Sequence, residues 1–397
     1  PWIGIKDATG NHGRTIHETM QHTNDLGIAN SAARVLPANT VCLSRTASVG
    51  YVVIMGRPMA TSQDFANWVC SDKLDYRFLK FALLAERDSF SRFSYGSTHQ
   101  TIYYPELKAF HICLPPEAEQ KRIADILQSL DDKIELNRRM SATLKEMARA
   151  LYRSWFVDFD PVHARALGQS PAHMDATTAA LFPDSFGPDG LPKGWQMSTI
   201  GEVAETVGGA TPKTMEPTFW DGPHRWATPR DLSKLGQPVL LKTDRTLTDS
   251  GLAKISSGLS PAGTVLLSSR APIGYVAITQ NPIAVNQGFI ALRETDRISS
   301  VEAYFWVQSN MDAILANANG STFQEISKKN FRPLPCVVAP DPVRSEFRDL
   351  AGTWFDRVTG LCAESANLAA LRDTLLPRLM SGELRIREAE KQVEEVV

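Results

Sequence analysis

Few residues in this chain are spaced for covalent chemistry. The nearest approach to a metal motif is His17-Glu18 followed by His22. A helical zinc pair needs histidines four apart so that both lie on one face, and a spacing of five makes them diverge. No glycine-rich GxxxxGK(S/T) loop is present to cradle nucleotide phosphates with backbone amides and a lysine. A methyltransferase acting on an exocyclic base amine needs a short Asn/Asp-Pro-Pro-aromatic element to hold the flipped base. The nearest strings, Phe159-Asp160-Pro161-Val162 and Asn281-Pro282-Ile283-Ala284, lack it. Cys42, Cys70, Cys113, Cys336 and Cys362 are odd in number and scattered, so they form neither a disulfide framework nor a CxxC knuckle and read as reduced core residues. The expectation is a chain with no catalytic centre, no metal and no cofactor of its own.

The elements that carry the remaining polar residues are organised by a direct repeat. LPANTVCLSRTASVGYVVI (36–54) aligns with LSPAGTVLLSSRAPIGYVAI (259–278) at an offset of 224 residues. Without a gap, the same offset pairs Trp2 with Trp226, Asp7 with Asp231, Gln63 with Gln287, Phe65 with Phe289, and Gly96-Ser97-Thr98 with Gly320-Ser321-Thr322. Over positions 25–54 the two copies agree at 14 of 30 residues, where chance would give about two from average residue usage. In each copy two β-prone runs flank a turn rich in small residues, Arg270-Ala271-Pro272-Ile273-Gly274 in the second, which predicts a hairpin. His99 and His111 have no histidine partner in the second copy, so a shared catalytic role is not expected.

Each copy ends in a helical period. Ile123, Leu127, Leu130, Ile134, Leu144 and Leu151 recur at a spacing of three and four, and the offset carries them to Phe347, Ala351, Trp354, Val358, Leu368 and Leu375. Asn137 and Ser141, with Ser365 in the second copy, interrupt these seams as polar register-setting residues do in a coiled coil. A single such helix reads as an ordinary amphipathic face packed on its own domain. Two copies, each about 35 residues and ~50 Å long, read better as a paired spacer between two heads. The predicted organisation is a head at 1–116, a long helix at 117–156, a linker at 157–190, a second head at 191–340, a second long helix at 341–384 and an acidic tail at 385–397. LPKGWQMSTIGEVAE (191–205) opens the second copy, and its counterpart would precede Pro1, so an N-terminally shortened chain is expected.

A net charge of −2 argues against a protein that coats nucleic acid unspecifically. Charge alternates along the chain: 1–116 carries 11 Lys+Arg against 9 Asp+Glu and 191–340 carries 14 against 12, whereas 117–190 and 341–397 are acidic. At 43% hydrophobic residues the chain can bury two or three cores. No apolar run reaches the ~18 residues a membrane span needs and no signal stretch opens the chain, so a cytoplasmic location is expected.

These residues resemble one family, the specificity subunits of type I restriction-modification systems. The resemblance is carried by LPKGW (191–195), PAGTVL (261–266) leading into SRAPIG (269–274), NQGF (286–289) and GSTF (320–323), with weaker first-copy partners in register. PEAEQKRIA (116–124) and SWFVDFDP (154–161) are similar to the family's central conserved region, whereas the second helix has Val343-Arg344 where the first has Glu119-Gln120. The resemblance implies an α+β fold: two mixed α/β target recognition domains, separated by two long helices that form an antiparallel coiled coil, in a pseudo-two-fold internal repeat. It implies a subunit that recognises a bipartite, asymmetric site in double-stranded DNA and scaffolds two methylation subunits and the restriction (translocase/endonuclease) subunits. S-adenosylmethionine, ATP and Mg2+ would belong to those partners. Arginine suits guanine edges, Asn or Gln suit adenine, and Ser, Thr or Lys hold phosphates. The candidate DNA contacts are therefore Arg45, Thr46, Ser97, Thr98, His99, Gln100 and Tyr103 in the first head, and Arg270, Ser321, Thr322, Gln324, Lys328 and Lys329 in the second. Each can equally be a solvent-facing surface residue. Two other readings stay open: the recognition portion of a fused restriction or modification enzyme, and a coiled-coil adaptor that binds protein.

Overall fold

The computed structural model describes residues 1–92, 100–270, 272–320 and 324–396. The chain is α+β, with mixed sheets and two helices of 40 residues, Glu117–Phe156 and Asp341–Met380. It divides into two compact units, one comprising Pro1–Leu136 and Ser365–Val397, the other Asn137–Glu364. Each long helix thus gives one half to each unit.

In the first unit the strands are β1 (Trp2–Ile3), β2 (Thr15–Ile16), β3 (Val41–Ser44), β4 (Val52–Met55), β5 (Ala60–Thr61) and β6 (Phe65–Trp68). They form a four-stranded sheet in the order β2-β4-β3-β6 and a parallel pair β1-β5. The predicted hairpin is β3 and β4, antiparallel with Val41 opposite Ile54. Both strands are buried throughout, which suits their β-branched and apolar residues. Helix Tyr76–Ala85, capped by Asp75, buries Phe78, Phe81 and Ala82 in one cluster with Ile123, Leu127 and Leu130 of the first long helix and Leu368, Leu375 and Leu379 of the second. The second long helix stops at Met380, and Gly382 takes φ +73°, a left-handed conformation that suits glycine beyond a helix end. The stretch read as an acidic tail folds as a helix, Ile386–Glu394. Its Ala389 and Val393 are buried in that same cluster, and Arg122 holds Glu390 at 2.8 Å.

The second unit holds β7 (Gln196–Thr199), β8 (Glu205–Val207), β9 (Trp220–Ala227), β10 (Val239–Leu240), β11 (Arg245–Leu247), β12 (Val265–Ser268), β13 (Val276–Thr279), β14 (Ile283–Val285), β15 (Phe289–Arg293) and β16 (Pro335–Val338). The sheets run β10-β13-β12-β15-β8, β11-β9-β14 and β16-β7. Strand register recurs at the offset of 224. Val265 faces Ile278 and Leu292 as Val41 faces Ile54 and Trp68, Val239 faces Ile278 as Thr15 faces Ile54, and Trp226 faces Ala284 as Trp2 faces Ala60. Tyr152, Trp155 and Phe156 of the first long helix pack with Phe347, Ala351 and Phe355 of the second in the aromatic core of this unit. Phe156 and Phe347 meet edge to face at 5.0 Å. Asn137, buried on its helix, donates from Nδ2 to Glu364 at 3.0 Å. Among the described residues no helix is long and apolar enough to cross a membrane.

Candidate nucleic-acid interface

The hairpin tips are built twice by the same hydrogen bonds. In the second unit the Ser268 hydroxyl donates to Pro272 O and accepts from Tyr275 N–H, both at 2.8 Å. In the first unit Ser44 does the same with Ser48 O and, at 2.9 Å, Tyr51 N–H. A serine is what this turn needs: one hydroxyl serves two backbone groups that no strand partner reaches. Gly50 and Gly274 close the tips at φ +88° and +114°. Buried aspartates fix the loops behind them. Asp7 accepts from Gly4 and Met20 N–H, both at 2.9 Å, and Asp231 accepts from Thr228 and Asp244 N–H, both at 2.7 Å.

A second segment lies along each tip. Thr46 bridges Thr101 in the first unit and Arg270 bridges Glu325 in the second, 224 residues on. Ile102 N–H donates to Arg45 O at 2.9 Å, and Ile326 N–H to Ser269 O at 3.0 Å. The first tip therefore brings together Arg45, Thr46, Gln100 and Tyr103, with Gln100 O accepting from Ala47 N–H at 2.9 Å. Gln100 and Tyr103 are exposed. Arg45 is half-buried, its guanidinium 4.8 Å from the centre of the Tyr104 ring. In the second unit Arg270 is half-buried, and Gln324, Lys328 and Lys329 are exposed. The two lysines open a short helix, Lys328–Phe331, capped by Ser327. Ser97, Thr98, His99, Ser321 and Thr322 lie outside the described residues.

Gln120, marked in the sequence only as half of the pair that Val343-Arg344 replaces, takes its role from the fold. Its buried amide donates to Lys73 O at 3.1 Å and Pro115 O at 2.9 Å and accepts from Asp75 N–H at 3.0 Å, clamping the helix to its head. Arg344 takes this position in the second copy and donates to Ala339 O at 3.0 Å and Asp296 O at 2.9 Å. Glutamine and arginine thus do one job, which their different chemistries hide in an alignment. Arg245 is also unannounced: it stacks on Trp220 at 3.3 Å, a cation on the protein's own ring.

Among the described residues no group of three or more His, Cys, Asp or Glu could hold a metal ion. Glu18 is engaged by His22 at 2.6 Å and by Arg57, and the Thr19 backbone N–H leads the contacts that hold its carboxyl below the ordinary range. Burial pushes the Cys42 and Cys336 thiols up to about 12, so neither is a nucleophile at neutral pH.

The family model for the type I restriction modification DNA specificity domain matches residues 1–146 and 192–338. The specificity subunit of the type I restriction enzyme MjaIX of Methanocaldococcus jannaschii is 23% identical over 400 residues, covering 98% of this chain and 87% of that protein. The HindI specificity subunit of Haemophilus influenzae is 26% identical over 388 residues, covering 83% and 84%. The crystal structure of a type I restriction-modification S subunit from M. genitalium shares the fold at a TM-score of 0.50 and 19% identity, over 87% of this chain and 84% of that one. The family model matches the chain twice and over more than half of its length, and the chain belongs to the specificity subunits of type I restriction-modification systems.

Proposed function

We propose that the two heads are separate readers of one bipartite, asymmetric site in double-stranded DNA, each presenting its hairpin tip and the segment along it. The observation that carries this reading is a frame repeated hydrogen bond for hydrogen bond with different side chains at equivalent places: Arg45 and Ser269, Thr46 and Arg270, Thr101 and Glu325. A shared frame with changed polar groups is what two half-sites of different sequence require. The two long helices form an antiparallel coiled coil that spaces the readers. Their similar halves give two equivalent docking places for methylation subunits, with the restriction subunits joining that assembly. Methyl transfer from S-adenosylmethionine and ATP- and Mg2+-dependent translocation belong to those partners, and the chain alone is not catalytic.

Exchange of residues 191–340 for the second head of another family member tests the reading, with methylated bases mapped in cells that carry the partner subunits. One half of the methylated sequence changes and the other persists. A change in both halves sinks the modular reading.

A further inference from the structure

At the hairpin tips the frame repeats and the side chains change, whereas beside the tips both repeat. In the second unit the parallel strands β9 and β14 end together, with Ala227 opposite Val285, and the chain leaves that end twice, as Thr228-Pro229-Arg230 and as Asn286-Gln287-Gly288. Asn286 N–H donates to Ala227 O at 3.0 Å, and a Cβ on Gly288 would stand 3.0 Å from Pro229 Cγ, so Arg230 and Gln287 stand on adjoining turns. Ser269 N–H, at the tip, donates to Gly288 O at 2.8 Å. The first unit repeats these backbone links 224 residues earlier. Ile3 lies opposite Thr61, Ser62 N–H donates to Ile3 O at 3.1 Å, and Arg45 N–H donates to Asp64 O at 2.7 Å. Those turns carry Lys6 where the second unit has Arg230, and Gln63 where it has Gln287.

What is kept is a set of donors. The Thr211 hydroxyl donates to Gln287 Oε1 at 2.5 Å, which occupies the amide's acceptor and leaves its two N–H donors without a protein partner among the described residues. Arg230 adds a positive charge and further donors. Both residues are exposed with the 205–211 stretch in place beside them. The neighbouring Asp231 does not neutralise Arg230, since its buried carboxylate is turned inward to the Thr228 and Asp244 N–H groups, both at 2.7 Å. A pair that only donates fits an anion. Two readers of different sequence share one feature of the ligand, the phosphodiester backbone, so the groups kept in both heads suit phosphates as the changed ones suit bases.

We propose that Arg230 with Gln287, and Lys6 with Gln63, hold backbone phosphates beside each tip and so set the register in which the tip meets base edges. The proposal rests on the reading of the heads as DNA readers. It makes these four positioning residues, with no part in choosing the sequence.

The test uses the full chain assembled with its methylation subunits and two labelled duplexes of equal length, one carrying the sequence methylated in cells and one lacking both half-sites. Anisotropy titrations are run over a series of salt concentrations. Arg230→Ala is expected to weaken binding to both duplexes by a similar factor, roughly tenfold, and to reduce the slope of log affinity against log salt by about 1, with the methylated sequence unchanged in cells. Arg230→Lys, the residue type the first unit uses, keeps the slope. Gln287→Glu weakens both duplexes more than Gln287→Ala does, because it sets a carboxylate against a phosphate. Relaxed choice at one base of the methylated sequence in Arg230→Ala would make this residue a base reader and overturn the proposal, as would unchanged affinity and slope. A wild-type complex that prefers neither duplex overturns the reading of the heads themselves, so the two failures are told apart.

Discussion

Two titratable residues, the buried Glu302 and the half-buried His12, give the two units opposite responses to acid. Glu302 sits in a capping box, where its N–H donates to the Ser299 hydroxyl at 3.3 Å, and burial raises its carboxyl from 4.5 to about 7 against the lowering effect of Arg344 and Arg348. Between pH 4.5 and about 7 the unfolded chain has lost this proton and the folded chain keeps it. The stability of the second unit therefore falls as pH rises through that window, by about 3 kcal/mol. Burial first, then Arg87 and Arg372, press His12 from 6.5 down to about 4, and its neutral Nδ1 accepts the Val52 N–H at 3.1 Å. Here the unfolded chain binds the extra proton, so stability of the first unit is lost as pH falls from 6.5 towards 4. Glu302→Gln is expected to remove the downward slope in the second unit and leave the acid sensitivity of the first unchanged. Hydrogen exchange resolved by unit at pH 5 and pH 8 measures both. A slope in the second unit that survives the substitution assigns the titration to another group.

Where a head helix meets the long helices, the two copies use different chemistry at the same positions. Lys80, its side chain 2% exposed, reaches Asp131 Oδ2 at 2.9 Å, and Arg372 reaches Asp131 Oδ1 at 2.7 Å. The offset turns Lys80 into Tyr304, Asp131 into Phe355 and, from the other helix, Arg372 into Ala148. There Tyr304 and Phe355 meet edge to face at 5.5 Å. Asp131→Ala leaves the buried Lys80 without its carboxylate, while Arg372 keeps Asp373 at 2.7 Å, and is expected to destabilise the first unit by about 3 kcal/mol. The combined Lys80→Tyr, Asp131→Phe, Arg372→Ala variant imports the aromatic solution and is expected to lose much less, as denaturant unfolding can show. Sequence made the hairpins legible because Val41–Ser44 and Val265–Ser268 are β-prone runs before turns rich in Gly and small residues, and the long helices because their apolar period repeats. The ionic cluster was not legible: Asp131 and Arg372 are 241 residues apart, and each reads as a solvated helix position. Helix Ile386–Glu394 was hidden for a similar reason, with Ala389 and Val393 set among charges. Within the candidate site, the small-residue turns announced the hairpin tips, while the Ser44 and Ser268 hydroxyls that close them and the Thr101 and Glu325 partners across them needed the fold.

For the whole molecule, the proposed spacer makes helix length a measurable quantity. Four residues inserted after Leu136 and four after Glu364 add about one turn, ~6 Å, and nearly keep the apolar seam in phase. Since each base pair advances DNA by ~3.4 Å, the unspecified gap between half-sites is expected to grow by one or two base pairs with both half-site sequences intact. Two residues at the same places rotate the seam by about 200° and expose Leu127 and Leu130, which abolishes folding or assembly. Methylome mapping of both variants decides, and an unchanged gap in the four-residue variant means that something else fixes the spacing. The division of the chain into Asn137–Glu364 and a unit made from both ends also sets an order of synthesis. After Leu136 leaves the ribosome, the first unit waits for 228 further residues, roughly 10 to 50 s at ordinary elongation rates, before Ser365 and its followers emerge. Through that interval Ile123, Leu127 and Leu130 have no Leu368 or Leu375 to cover them, and Asp131 has no Arg372. The unit whose head is translated earlier is thus the one completed last, and a premature stop near Ile386 strips cover from that unit while leaving Asn137–Glu364 whole.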